Sequence, residues 1–92
     1  MTQQYLVGEL SSLLAGLQPT PGERLGDAVG TLRHEVEFSP LSLLPRLAAE
    51  AMDLTDLICQ AALEQGDADG FCRCVGTAIA LRDFTVSAGL LP

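Results

Sequence analysis

The stretch that decides the fold is LPRLAAEAMDLTDLICQAALEQ, residues 44–65. Its apolar side chains cover most of the circumference of a helix with 3.6 residues per turn. The polar side is narrow and is formed by Glu50, Asp53, Asp56, Gln60 and Glu64. Because so apolar a helix must be covered on more than one side, the sequence predicts that it is the central helix. We expect Leu54, Leu57 and Ile58 to be buried there.

The same helical period recurs in three further segments. Each has apolar residues three or four positions apart, as in a helix that packs one face against a core. The pattern of alternating residues that is typical of strands is not sustained anywhere. The predicted helices span residues 3–17, 21–37, 40 or 45–65, and 67–88. Since short connections favour antiparallel neighbours, the sequence predicts an all-α fold, a small antiparallel four-helix bundle-like domain.

Capping and turn residues separate the predicted helices. Thr20 is a suitable N-cap for the second helix. Pro40 and Pro45 predict a short turn or a kink before the third helix becomes regular, because a proline inside a helix forfeits a backbone hydrogen bond. Gly66 is suited to end the third helix, and Asp67 to cap the fourth.

The composition excludes several classes of function. The 92 residues include 12 acids and 5 basic residues, giving a formal net charge of -7 that would repel nucleic-acid phosphates. A mean hydropathy of +0.30 argues against disorder, while no run approaches the roughly 20 apolar residues of a membrane span. We expect no nucleic-acid or membrane partner, and neither a signal peptide nor an anchor. The absence of Lys and Asn is typical of a high-GC bacterial genome.

The three cysteines are the most distinctive chemical feature of the chain. Their odd number argues against a secreted disulfide framework, so we expect a cytoplasmic protein. Cys72 and Cys74 differ by about 200° around a helix and cannot share one metal ion, whereas Cys59 is level with one of them in a helical hairpin. We expect reduced thiols, at least two of them buried as small core residues. The alternative is a thiol-based redox or metal sensor that uses all three cysteines.

No other cluster indicates catalysis. His34 lies on the polar side of the second helix, where we expect a solvated side chain and an ordinary surface ion pair between Arg33 and Glu37. The Asp67-Ala68-Asp69-Gly70 segment, residues 67–70, lacks the third acid and the terminal Glu of a calcium loop, so capping is the better interpretation. We predict no catalytic residue, no cofactor and no metal ion.

Ser42 lies between two leucines near a helix start, in an acidic chain predicted to form four helices. In this outline the chain resembles the acyl carrier proteins, in which the Ser of an Asp-Ser-Leu motif receives a phosphopantetheine arm. The resemblance implies Ser42 as the attachment site. The motif here reads Leu41-Ser42-Leu43 without the Asp, and Pro45 and Arg46 depart from that family's regular, acidic helix. A serine that helps to cap the third helix is the alternative.

The apolar content exceeds what one small core can readily cover. The sequence therefore predicts a non-catalytic helical protein that self-associates, most simply as a homodimer, and binds another protein as a regulatory adaptor or assembly component. The predicted interaction surface combines Tyr5 and Val7, beside the leucine stripe of the first helix, with Gly26 and Gly30. These two glycines, four residues apart on the second helix, would permit close approach of another backbone.

Overall fold

The computed structural model of the chain describes residues 3–17 and 23–90, and within them every regular element is helical. The α-helices are α1 (Gln3–Ala15), α2 (Glu23–Phe38), α3 (Leu44–Glu64) and α4 (Ala68–Ser87), with a 3₁₀ turn at Leu41–Leu43. Each helix packs against its neighbours in the chain, and α1 also packs against α4. The predicted all-α, four-helix fold is confirmed. Within the described residues, no helix is both long and apolar enough to cross a membrane.

One apolar core joins all four helices. The leucine stripe of α1 faces it, and Thr55 and Thr85 enter it without an unpaired hydroxyl. Their hydroxyl groups donate to the carbonyls of Ala51 and Arg82 at 2.7 and 2.8 Å. The larger fully buried side chains are Leu10, Leu14, Val29, Val36 and Leu81. Because α3 has buried residues along its whole length, it is the central helix that the sequence predicts.

The prolines Pro40 and Pro45 shape the start of α3 as predicted. The N–H of Leu43 donates to the carbonyl of Pro40 at 3.0 Å and closes the short 3₁₀ turn. Pro45 then lies in the first turn of α3, where a missing N–H costs no internal hydrogen bond. The helix therefore continues without a break to Glu64. The predicted cap at Thr20 lies outside the described residues.

The connection between α3 and α4 is short and closely specified. Gly66 has φ +71°, a left-handed conformation that favours glycine. The N–H of Asp67 donates back to the carbonyl of Ala62 at 2.9 Å. The Asp67 carboxylate in turn accepts from the N–H of Gly70 at 3.0 Å and caps α4. These bonds confirm the predicted helix end and helix start, and they make α3 and α4 an antiparallel hairpin.

Candidate functional site

Several large apolar side chains remain in contact with solvent, and they cluster mainly on α3 and α4. Leu63, Ile79 and Val86 are 64%, 59% and 60% exposed, respectively. Leu81, on the same helix as Ile79 and Val86, is buried. Ile79 differs from Leu81 by about 200° around α4, so the two side chains cannot face the same core. Four of the seven exposed large apolar side chains of the described residues thus belong to the α3–α4 hairpin, whereas Tyr5, Phe38 and Leu43 lie elsewhere.

A groove with a volume of ≈ 450 Å³ runs between these two helices. We call it the hairpin groove. Its walls are mostly apolar, and they consist of Met52, Asp56, Cys59, Phe71, Val75, Ala78, Ile79 and Arg82. Leu63 follows Cys59 by four residues and Val86 follows Arg82 by four, so each extends the apolar surface by about one helical turn.

The hairpin groove has one charge of each sign. Asp56 lies on the α3 wall and Arg82 on the α4 wall, and both are exposed. The one ion pair found among the described residues joins Arg46 and Glu50 at 3.4 Å, so Asp56 and Arg82 do not pair with each other within 4.0 Å. Both charges are thus available to a group that approaches the groove from outside.

A buried thiol lies behind the groove wall. The Sγ of Cys74 donates to the carbonyl oxygen of Thr55 at 3.2 Å, the same oxygen that faces the helical N–H of Cys59. Burial, the hydrogen bond with the Cys59 side chain and the nearby negative charge of Asp56 raise the pKa of Cys74 from 9.0 to about 12. Cys74 is therefore a protonated, unreactive thiol at neutral pH.

The cysteines differ from the sequence-based expectation in one respect. Cys74 is buried, Cys59 is half-buried at the groove wall and Cys72 is exposed. The prediction that at least two are buried is wrong, because the core receives only the face of α4 on which Cys74 lies. Of the two candidates for a neighbour of Cys59, the structure places Cys74 beside it. No group of three metal-ligating side chains is present in the described part of the chain.

A second groove lies on the other side of α3, against α2, and has a volume of ≈ 390 Å³. We call it the acidic groove. Its carboxylates belong to Glu35, Glu50 and Asp53. Its remaining lining consists of Ala28, Thr31, Leu32, Leu54 and Leu57. The sequence did not indicate this groove, because Leu57 was expected to be buried.

The prediction that Leu57 is buried is wrong. This side chain is 55% exposed, whereas Leu54 and Ile58 are buried as predicted. Leu57 follows Asp53 by four residues and precedes Gln60 by three, so it lies within the polar stripe of α3. Ala28, on the α2 side of the acidic groove, is likewise exposed. A helical wheel could have identified Leu57 as an apolar residue among polar neighbours.

The residues of the predicted interaction surface lie on two helices, Tyr5 and Val7 on α1 and Gly26 and Gly30 on α2. Tyr5 is 57% exposed and lines a third groove, between α1 and α4, that also includes Phe84. Val7 is about 200° from Tyr5 around α1 and packs against the core on the other side of the leucine stripe. Gly26 and Gly30 line a shallow depression on α2, where a Cβ on Gly30 would meet no atom of the described residues within 4 Å. Within residues 3–17 and 23–90, no backbone approaches Gly30 closely.

The other singled-out polar residues lie apart from these grooves. His34 is exposed and its ring lies 4.6 Å from that of Phe38. The expected Arg33–Glu37 ion pair is wrong within the described residues: Glu37 accepts a hydrogen bond from Ser11 at 3.3 Å instead. The Nε of Arg33 is buried without a described partner.

Ser42 is exposed in the 3₁₀ turn before α3. Its surroundings contain no acidic residue immediately before it in the chain, because Leu41 occupies that position. Comparison of the chain with described protein families, with characterised proteins and with solved structures gives no match. The two grooves beside α3, rather than a likeness to another protein, are therefore the basis for inferring function.

Proposed function

We propose that this protein is a non-catalytic helical protein that forms a homodimer through the α3–α4 hairpin and binds another protein through a different surface. The observation that supports the dimer is the exposed apolar surface of the hairpin groove and its two extensions, Leu63 and Val86. Large exposed apolar patches are typical of interaction sites. Reduced cysteines are consistent with a cytoplasmic location, which we also propose.

The charges of the hairpin groove favour a second copy as the occupant. Asp56 and Arg82 lie on opposite walls and are not paired within one chain. A two-fold axis through the groove would place Asp56 of each copy opposite Arg82 of the other. An isologous interface requires this kind of self-complementarity, because the same patch must match itself. The chain therefore supplies both charges that such an interface needs.

The size of the hairpin surface is sufficient for a stable dimer. A helix of 20 residues, such as α4, is about 30 Å long. Two packed helices are about 20 Å wide in total, so one side of the hairpin offers roughly 600 Å². A stable interface needs about 500 Å² from each copy. The α3–α4 hairpin provides this area without any contribution from α1 or α2.

The mass in solution tests this interface. We expect size-exclusion chromatography with light scattering to give twice 9.7 kDa at micromolar concentration. Ile79→Glu should give the monomer mass, because a carboxylate would be buried in the apolar centre of the interface. Leu57→Glu is the matched control, since Leu57 is similarly exposed but lies on the opposite side of α3, and it should remain dimeric. A wild-type mass of 9.7 kDa that persists on concentration would refute the dimer.

The thiol-sensor alternative is supported by one observation, the neighbouring side chains of Cys59 and Cys74. Oxidation by hydrogen peroxide would join the two sulfur atoms, remove two protons and two electrons, and reduce the peroxide to water. The raised pKa of Cys74 disfavours its thiolate, so we expect the intact mass to remain that of the free thiols. Loss of two hydrogen atoms, abolished in Cys59→Ser, would instead establish the sensor.

The carrier alternative depends on Ser42, which is exposed and thus accessible to a modifying enzyme. Intact mass after co-expression with a phosphopantetheinyl transferase tests it directly. We expect an unmodified chain. An added phosphopantetheine mass that disappears in Ser42→Ala would overturn this expectation and would favour the carrier function over the adaptor.

A further inference from the structure

The acidic groove between α2 and α3 combines an apolar floor with an acidic rim. Leu57 is more than half exposed, and three carboxylates surround the same groove. We propose that this groove binds an amphipathic helix of a partner protein, with apolar anchors facing the floor and arginine or lysine residues facing the rim. This inference rests on the proposed function, because it specifies the kind of partner protein that the proposed dimer would bind.

The length of the groove fits two turns of a partner helix. On α2 it runs from Ala28 to Glu35, and on α3 from Glu50 to Leu57. Each distance is seven residues, or about 10.5 Å along a helix. Apolar anchors at positions i, i+3, i+4 and i+7 of a partner helix cover the same distance. The groove is therefore long enough for a single helix but not for an extended protein surface.

The charge of the rim specifies the flanks of that helix. Glu50 forms an ion pair with Arg46 at 3.4 Å, in which the arginine side chain is 76% exposed. Glu35 and Asp53 form no ion pair with any residue of the described chain. Both are exposed, and the chain as a whole has a net charge of -7. A basic helix would thus be attracted both at long range and at the rim.

The same charges exclude a second copy of this chain as the occupant. In a two-fold contact through the acidic groove, the carboxylates of one rim would face those of the other, and like charges in an interface are unfavourable. The hairpin groove has no such conflict. Leu57 and Cys59 are also about 200° apart around α3, so dimerisation through the hairpin leaves both acidic grooves of the dimer accessible.

A synthetic helical peptide provides the probe. It has about 18 residues, with leucines at i, i+3, i+4 and i+7 and arginines on both flanks of that stripe. The control peptide has glutamate in place of every arginine. Fluorescence anisotropy with the labelled peptides and the full-length protein should detect binding of the arginine peptide only. Raising the salt concentration should weaken the binding, because the rim charges are exposed.

Protein variants locate the binding site. Asp53→Arg and Leu57→Ala should each weaken peptide binding by at least about tenfold, the first through like charge and the second through loss of the apolar anchor. Asp27→Arg is the matched control, because Asp27 is exposed on α2 outside the acidic groove and gives the same change in net charge. It should retain wild-type affinity within about twofold.

Three results would overturn the inference. The first is that the arginine peptide does not bind at concentrations up to about 1 mM. The second is that both peptides bind equally, and the third is that Asp27→Arg and Asp53→Arg weaken peptide binding equally. The mass of each variant in solution separates this failure from failure of the proposed dimer. A dimeric protein without peptide binding refutes the acidic-groove inference alone, whereas a monomeric protein that binds the peptide refutes the dimer alone.

Discussion

The two grooves along α3 differ in charge although they share one helix. The hairpin groove, on the α4 side, has Asp56 and Arg82 on opposite walls. The acidic groove, on the α2 side, has three carboxylates, one of which, Glu50, pairs with Arg46. Mixed charge suits a surface that contacts its own copy, whereas charge of a single sign suits a different partner. The central helix α3 thus separates the proposed dimer surface from the proposed partner-binding surface.

The largest expected effect is on the free energy of unfolding, because both grooves depend on the packing of α3 against the core. Ile58 is buried on the core side of α3, between the two flanks. We expect Ile58→Ala to lower the free energy of unfolding by about 2–5 kcal/mol, the usual result of deleting a packed aliphatic side chain. Thermal and urea unfolding at a fixed protein concentration measure the loss. A variant as stable as the parent would show that α3 is not the central helix.

Charge reversal separates the hairpin groove from the acidic groove. Asp56→Arg should raise the dimer dissociation constant at least about tenfold, because arginine would then face arginine across the two-fold axis. The double variant Asp56→Arg with Arg82→Asp should restore dimerisation, since it exchanges the two charges. Analytical ultracentrifugation gives the constants. A dissociation constant of the double variant that is no lower than that of Asp56→Arg would exclude the contact between Asp56 of one copy and Arg82 of the other.

Alkaline pH tests the thiol behind the hairpin groove. The pKa of Cys74 is about 12 in the folded chain, above its ordinary value of 9.0, so the protonated form is favoured by folding. Its contribution to stability is therefore complete below the unfolded pKa and is lost as the pH rises toward the folded one, by up to about 1.4 kcal/mol per pH unit. Urea unfolding of the wild type and Cys74→Ala above about pH 9 should give a steeper loss for the wild type. If the free energy of unfolding fell equally with pH in both proteins, the raised pKa of Cys74 would be contradicted.

The smallest expected effect is at Leu57, where the two sides of α3 differ most from the sequence-based expectation. Leu57→Ala should change the free energy of unfolding by less than about 0.5 kcal/mol, because the side chain is more than half exposed. The same unfolding measurement that detects Ile58→Ala serves here. A loss as large as that of Ile58→Ala would mean that Leu57 is covered in solution, by the dimer or by another contact.

The sequence predicts the elements of this fold better than their surfaces. Gly66, Asp67 and the prolines at the start of α3 specify helix ends through local backbone chemistry, and the structure agrees at each of them. Leu57 was misplaced because a broad apolar stripe has no sharp edge in the sequence. The edge depends on where neighbouring helices pack, which is set by the whole fold.

The charges of the hairpin groove escaped sequence analysis for a related reason. Asp56 was counted in the polar stripe of α3, and Arg82 had no counterpart within its own helix. The hairpin turn at Gly66 and Asp67 is what places these side chains on facing walls. Twenty-six positions separate the two residues in the chain. The spacing has no helical or strand period, so no pattern in the sequence indicated the pair.

The short connection after α3 has a consequence for the order of events during protein synthesis. Residues that line the acidic groove lie between positions 28 and 57, so the ribosome has completed them before it begins α4. The hairpin groove needs residues up to Arg82. Because Gly66 and Asp67 turn the chain back at once, α4 can pack on α3 as soon as it is made. Of the two proposed interactions, self-association would therefore be the later one to become available to a nascent chain.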